Sequence, residues 1–171
     1  MLFLILIIVI IVLGFVFAQR IDQHRWKRYQ IERDLYFRQH PYRLESDQQF
    51  AIMVSVSKTQ QKKVINALML KSSSKQVLKK AYVLRDFESN QQGYALKVMI
   101  QDIPVTYLDS NYSALFAQSL EQTDFEIGRP IETLAEIMVF GEGEDLRCRI
   151  KLDLPKDPVM IKSWLFKKTS R

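Results

Sequence analysis

From Met1 to Ala18 the chain (MLFLILIIVIIVLGFVFA) holds no charged or strongly polar residue, whereas all 25 basic and 19 acidic side chains fall between Arg20 and Arg171. Eighteen residues rising about 1.5 Å each cover about 27 Å, close to the hydrocarbon core of about 30 Å, so the pattern predicts one transmembrane helix over 1–18. No Lys or Arg precedes the apolar run, while Arg20, Arg25, Lys27, Arg28, Arg33 and Arg38 crowd the residues after it. That asymmetry favours an uncleaved anchor over a secretory signal, with the N-terminus outside and the remainder cytoplasmic, as in a single-pass bacterial inner-membrane protein. From Gln19 to Gln39 polar residues continue without Gly or Pro, which predicts a helix leaving the membrane and ending near His40-Pro41. Residues 19–48 thus form a basic juxtamembrane helix and linker, with Trp26 and Tyr29 suited to the lipid interface.

Beyond the linker the periodicity changes. Phe50–Val56 alternates apolar residues with Ser and predicts a strand. In Thr59–Lys71 the residues Val64, Ile65, Leu68 and Met69 recur at helical spacing. Gln76–Phe87, Tyr94–Gln101 and Pro104–Leu108 read as strands, and Asp109 or Ser110 can cap a helix over Asn111–Gln122. Ile131–Phe140 and Leu146–Leu154 flank Gly141-Glu142-Gly143-Glu144-Asp145, a hairpin signal in which glycine supplies positive φ. Along the second arm Leu146, Cys148, Ile150, Leu152 and Leu154 alternate with Arg147, Arg149, Lys151 and Asp153, which predicts one buried and one charged face. Residues 49–156 thus read as an α+β domain: a small, mostly antiparallel, β-barrel-like sheet with two helices. The segment 157–171 follows as a basic amphipathic tail, with Met160, Ile161, Trp164, Leu165 and Phe166 against Lys162, Lys167 and Lys168; its apolar side suits either a bilayer surface or the barrel.

Composition first suggests nucleic acid, since the net charge is +6 and the pI about 9.4. Dividing the chain changes that picture. Residues 19–48 carry seven basic and five acidic side chains, 49–156 fourteen and thirteen, and 157–171 four and one. The domain is almost neutral, and the excess sits in the juxtamembrane segment and the tail, where it suits anionic lipid head groups. Arg20, Arg25, Lys27, Arg28, Trp164, Lys167 and Lys168 are the expected membrane-surface contacts. Chemistry is scarce. No G-x-G-x-x-G, P-loop, G-x-S-x-G or H-E-x-x-H pattern occurs, and His24 and His40 lack a partner at metal-ligand spacing. The one cysteine, Cys148, falls on an apolar strand face without a histidine to activate it, and Glu142, Glu144 and Asp145 cluster in a solvated turn. No catalytic residue, metal or cofactor is expected, and the chain is not read as an enzyme.

The segment Leu84–Val98 (LRDFESNQQGYALKV), followed by Val105-Thr106-Tyr107-Leu108, resembles the HIRAN domain. In that family a strand ends in a basic-acidic-Pro segment, then come an Asn-x-x-Asp loop, Ala-Val-x-Val, Val-Gly-Tyr-Leu and a helix, and the spacing here matches without a gap. The resemblance extends over about residues 50–155, with the hairpin from Ala135-Glu136-Ile137 through Leu152-Asp153-Leu154-Pro155 closing the domain. It departs at Phe87, where the family has Pro, at Ser89 and Gln92 in the loop, and at Thr106, where the family has Gly. Members that grip single-stranded DNA ends use a Tyr-Asp pair, and the matching positions are Gln91 and Gln92. The resemblance therefore implies that the barrel is kept and the DNA-end grip is lost. Its groove would be lined by Arg85, Asp86, Asn90, Gln91, Gln92, Tyr94 and Tyr107.

The expected function is a non-enzymatic, membrane-tethered binding module at the cytoplasmic face, engaging membrane lipid and a protein partner or membrane complex. The alternative is a membrane-tethered protein that binds or senses single-stranded DNA, with Tyr94 and Tyr107 as stacking groups.

Overall fold

The structure is a computed structural model that describes residues 2–45, 48–71, 76–88 and 94–166. The chain divides into two units, residues 1–40 and 41–171. The first is one unbroken helix, α1 (Leu2–Gln39), which Tyr36 and His40 end with a stacked ring pair and a bond from the His40 N–H to the Tyr36 carbonyl, 2.9 Å. Among the described residues no helix is long and apolar enough to cross a membrane, which corrects the expected transmembrane helix over 1–18. The helix does not stop at Ala18. Its described side chains begin at Gly14, and from Arg20 onward each turn carries charge that hydrocarbon would not accept. The side chains of residues 1–13, Val16 and Ala18 lie outside the described residues.

Among the described residues of the second unit seven strands form one curled sheet. They are β1 (Tyr42–Arg43), β2 (Ile52–Val54), β3 (Gln76–Arg85), β4 (Leu96–Ile100), β5 (Ile103–Tyr107), β6 (Ile131–Phe140) and β7 (Arg147–Leu152). The order is β2-β7-β6-β3-β4-β5, with β1 added in parallel beside the start of β6 and all other pairs antiparallel. Among its described residues three α-helices occur: α2 (Lys58–Ala67), α3 (Ser110–Ser119) and α4 (Ile161–Leu165). The fold is α+β with a half-barrel sheet and, among the described residues, four helices, of which α2 and α3 lie within 49–156. The two expected helices are shorter than their periodic runs. Leu68 caps α2 and Met69 takes φ 51°, while Asp109 caps α3 by accepting the N–H groups of Asn111 and Tyr112.

Alternation decides which face of the sheet is buried. Ile131, Thr133, Ala135, Ile137 and Val139 of β6 face inward with Ala81 and Val83 of β3 and Cys148, Ile150 and Leu152 of β7, and α2 and α3 add Val64, Ile65 and Phe116. The hairpin turn needs its glycine. Gly141 sits at φ +88°, and a Cβ there would lie 2.5 Å from the Asp145 carbonyl oxygen. Barrel closure is incomplete, because β2 is only three residues long and only Ser55, Val56 and Ser57 separate it from α2. Side chains bridge the gap to β5 instead of a ladder: the Thr106 hydroxyl donates to the Ser55 carbonyl at 2.8 Å, and the Gln60 amide donates to the Pro104 carbonyl.

The segment expected as a linker enters the fold. The Tyr42 N–H bonds the Pro130 carbonyl and the Leu44 N–H the Glu132 carbonyl, at 2.9 and 3.0 Å. Residues 48–50 are held by Asp153, which is fully buried and accepts the N–H groups of Gln48 and Gln49 at 3.1 Å each and of Phe50 at 3.5 Å. The expected tail also enters. Pro158 and Ile161 are buried, and Trp164 and Leu165 pack against the core.

Candidate functional site

One end of the sheet gathers four of the residues singled out in the sequence. β3 delivers Arg85, and Asp86 follows it directly. The chain returns at Tyr94 into β4, whose register sets Leu96 beside Arg85, and the β4–β5 hairpin sets Tyr107 beside Lys97. The Arg85 guanidinium lies 5.7 Å from the Tyr94 ring centre and 5.8 Å from that of Phe87, so one cation faces two rings. The Asp86 carboxylate is committed on both oxygens: one accepts the Glu88 N–H at 3.1 Å, the other the Tyr107 hydroxyl. The carboxylate that accepts its proton raises the Tyr107 phenol above its ordinary range.

The loop 121–130 makes a wall beside this cluster. Phe125 anchors it in the core, the Arg129 N–H reaches back to the Asp124 carbonyl at 2.9 Å, and an Arg129–Asp124 ion pair at 3.1 Å stiffens it. Gly128, at φ +108°, brings its backbone to the Phe87 ring; a Cβ there would lie 3.5 Å from Phe87 Cε2. Arg85 also donates to the Glu126 carbonyl of this loop at 3.4 Å. Even so, Phe87 is 60% exposed and Tyr107 47%. Two large rings on a rigid base, facing solvent, make a surface that gains by being covered.

Asn90, Gln91 and Gln92 lie outside the described residues, as do Lys167 and Lys168. Arg20, Arg25, Lys27 and Arg28 are exposed on α1, where Trp26 and Tyr29 stack at 5.8 Å. Trp164, expected at a membrane surface, is half-buried against the core of the second unit. The residue that sequence reasoning missed is Phe87. It entered only as a departure from the family Pro, although a large apolar side chain at a strand end between Asp86 and Glu88 has no core position to fill.

Cys148 is buried, and burial pushes its thiol up to about 11, far from a nucleophile's range. Among the described residues no three His, Cys, Asp or Glu side chains gather as a metal site would require. No family model, curated protein or solved structure matches the chain.

Proposed function

We infer that residues 41–166 work as a non-enzymatic binding module, HIRAN-like in the order of its elements, that engages a protein partner through the Arg85–Tyr107 end of its sheet. The observation that carries this is the exposure of Phe87 and Tyr107 around a cation already held between rings. Aromatic and arginine side chains on a rigid base are what protein interfaces concentrate. Support for the HIRAN-like assignment comes from the sequence of β3, loop, β4, β5, α3 and the β6–β7 hairpin, which follows the order of the resemblance.

The charge around the site favours protein over nucleic acid. Asp86, Glu88 and Glu126 stand near the rings against Arg85 and Lys97, so acids outnumber bases there and a phosphate backbone gains little from the site. The Asp86 carboxylate is occupied by Tyr107 and the Glu88 N–H. We place the module at a membrane surface on the sequence of its first 38 residues, where the uncharged 1–18 precedes Arg20, Arg25, Lys27 and Arg28.

The test is affinity purification of the full chain from solubilised membranes, comparing it with Phe87→Ala and with Leu115→Ala as a control at a separate exposed apolar position. A partner retained by the control and lost from Phe87→Ala is expected. Identical partners on all three would refute the site. Binding of a single-stranded oligonucleotide at low salt, lost in Phe87→Ala, would transfer the site to nucleic acid. Flotation of the full chain with anionic liposomes, set against the same chain with Arg20, Arg25, Lys27 and Arg28 changed to Gln, checks the location, since the changes should weaken flotation.

A further inference from the structure

β3 is ten residues long, yet β4 accompanies only half of it. β4 pairs with Ala81–Arg85 and then turns away at Gln101–Asp102 to return as β5. On the other side β6 follows β3 from Gln76 to Val83. Along Gln76–Lys79 the lane in line with β4 therefore holds no strand among the described residues. The last bond across it runs from the Gln101 N–H to the Lys80 carbonyl, 3.4 Å.

The direction of the free groups follows from the ladder. In antiparallel strands the N–H and C=O of one residue point to the same side, and successive residues alternate. Lys80 directs its carbonyl toward β4, and the Asp86 N–H bonds the Ala95 carbonyl on that same side at 2.9 Å. Leu78 and Gln76 share this parity, so both turn their N–H and C=O into the lane that no described strand fills. The lane is an open groove of about 580 Å³ lined by Leu78, Lys79, Lys80, Tyr82, Gln101 and Asp102. Its apolar side chain, Leu78, is 51% exposed. Of its two cations, Lys80 is held by Glu132 at 2.9 Å, whereas Lys79 makes no ion pair among the described residues.

We propose that this lane is a strand-addition site. It takes an extended peptide of a protein partner as an extra strand in line with β4, with an apolar residue opposite Leu78 and an acidic residue opposite Lys79. Neither a lipid nor a nucleic acid carries the alternating N–H and C=O groups that the edge requires. A second copy pairing about Leu78 would set Lys79 opposite Val77 and cover a cation with no anion to meet it. The other long-lane edge, β5, is already bridged by Thr106 and Gln60. The site lies at the opposite end of β3 from Arg85, so it is a second surface beyond the ring cluster.

The test uses the full chain in detergent micelles with three blocked nine-residue peptides: alternating Val and Glu, alternating Val and Lys, and the Val/Glu peptide with a central Pro. Residue-resolved amide hydrogen exchange is the readout. The Val/Glu peptide is expected to slow exchange at Gln76, Leu78 and Lys80 by about tenfold or more, while the other two leave it unchanged. Lys79→Glu should reverse the preference toward the Val/Lys peptide. Leu78→Pro removes a lane-facing N–H without touching the β6 ladder and should abolish the effect; Lys79→Glu carries the test if the proline variant does not fold. No slowing at 76–80 with millimolar Val/Glu peptide overturns the proposal, as does equal slowing by the proline peptide. Slowing that grows with protein concentration in the absence of peptide also overturns it, by giving the edge to a second copy. Phe87→Ala should leave the peptide effect intact, which separates failure here from failure of the ring cluster.

Discussion

Replacing Asp153 tests how the start of the folded unit is held. Its carboxylate is fully buried and is the acceptor for three successive N–H groups from residues about a hundred positions earlier. Two of those donors, Gln48 and Phe50, sit at φ 53° and 44°, a left-handed conformation that non-glycine residues adopt only when their surroundings impose it. Asp153→Ala removes two bonds at 3.1 Å and one longer bond, and leaves the N–H groups without an acceptor in a part-buried site. Bonds to a charged group contribute about 1.5–3 kcal/mol each, and relaxation of the two strained residues returns some of the loss, so the net cost should be about 3–5 kcal/mol. Asp153→Asn keeps the oxygen that serves Gln49 and Phe50 but turns an NH2 toward the Gln48 N–H, and should cost about half as much. Urea denaturation followed by near-ultraviolet circular dichroism gives both numbers, and hydrogen exchange at Gln48–Phe50 shows whether the loss is local. An alanine variant within about 1 kcal/mol of the parent, with Gln49 still protected, would refute the assignment of Asp153 as the latch.

Three further outcomes are expected. Cys148, with its thiol pushed up to about 11 by burial, should react with a maleimide at pH 8 about a hundredfold more slowly than in the denatured chain, on thiolate population alone. Because the native state keeps that proton where the unfolded chain has lost it, Cys148 should also make stability fall as pH rises from about 8.5 toward 11, and Cys148→Ala should flatten that limb in a denaturation series. Ile161→Ala, at a fully buried position of α4, should cost about 2–5 kcal/mol in urea denaturation, whereas a tail lying free of the core would lose almost nothing. Asp86→Asn should bring the Tyr107 hydroxyl down toward its ordinary ionisation range, visible as a difference between variant and parent in ultraviolet titration; unchanged curves would mean that the Tyr107–Asp86 bond does not form in solution.

What could be read from the sequence was whatever repeats within one element. The alternation of Arg147, Arg149 and Lys151 with Cys148, Ile150 and Leu152 is strand β7, and the runs for β3 to β6 fall within a few residues of their observed bounds. Asp153 shows the limit. By alternation it belonged to the charged face, but the strand ends at Leu152, and the acid turns inward because three amides from distant sequence await it. The same non-locality hid β1, whose two residues carry no period and join the sheet only because Pro130 and Glu132 supply carbonyls. The tail was ambiguous for a different reason: the stripe of Ile161, Trp164 and Leu165 serves a bilayer and a protein core equally, and only the presence of an uncovered core nearby decides between them.

The ring cluster depends on both kinds of information. Arg85, Asp86, Tyr94 and Tyr107 were named as a set only through the resemblance to the HIRAN domain, and which atoms meet was not legible. The Asp86–Tyr107 bond spans 21 positions and follows from the pairing of Arg85 with Leu96 and of Lys97 with Tyr107. That bond changes what the site can do. A free carboxylate beside a ring could have received a terminal hydroxyl of a nucleic acid, whereas a carboxylate already holding a phenol and a backbone N–H offers a closed polar floor beneath exposed rings. With residues 49–156 nearly neutral, such a surface has little to attract a polyanion and much to gain from apolar cover, which is the balance on which we propose a protein partner rather than DNA.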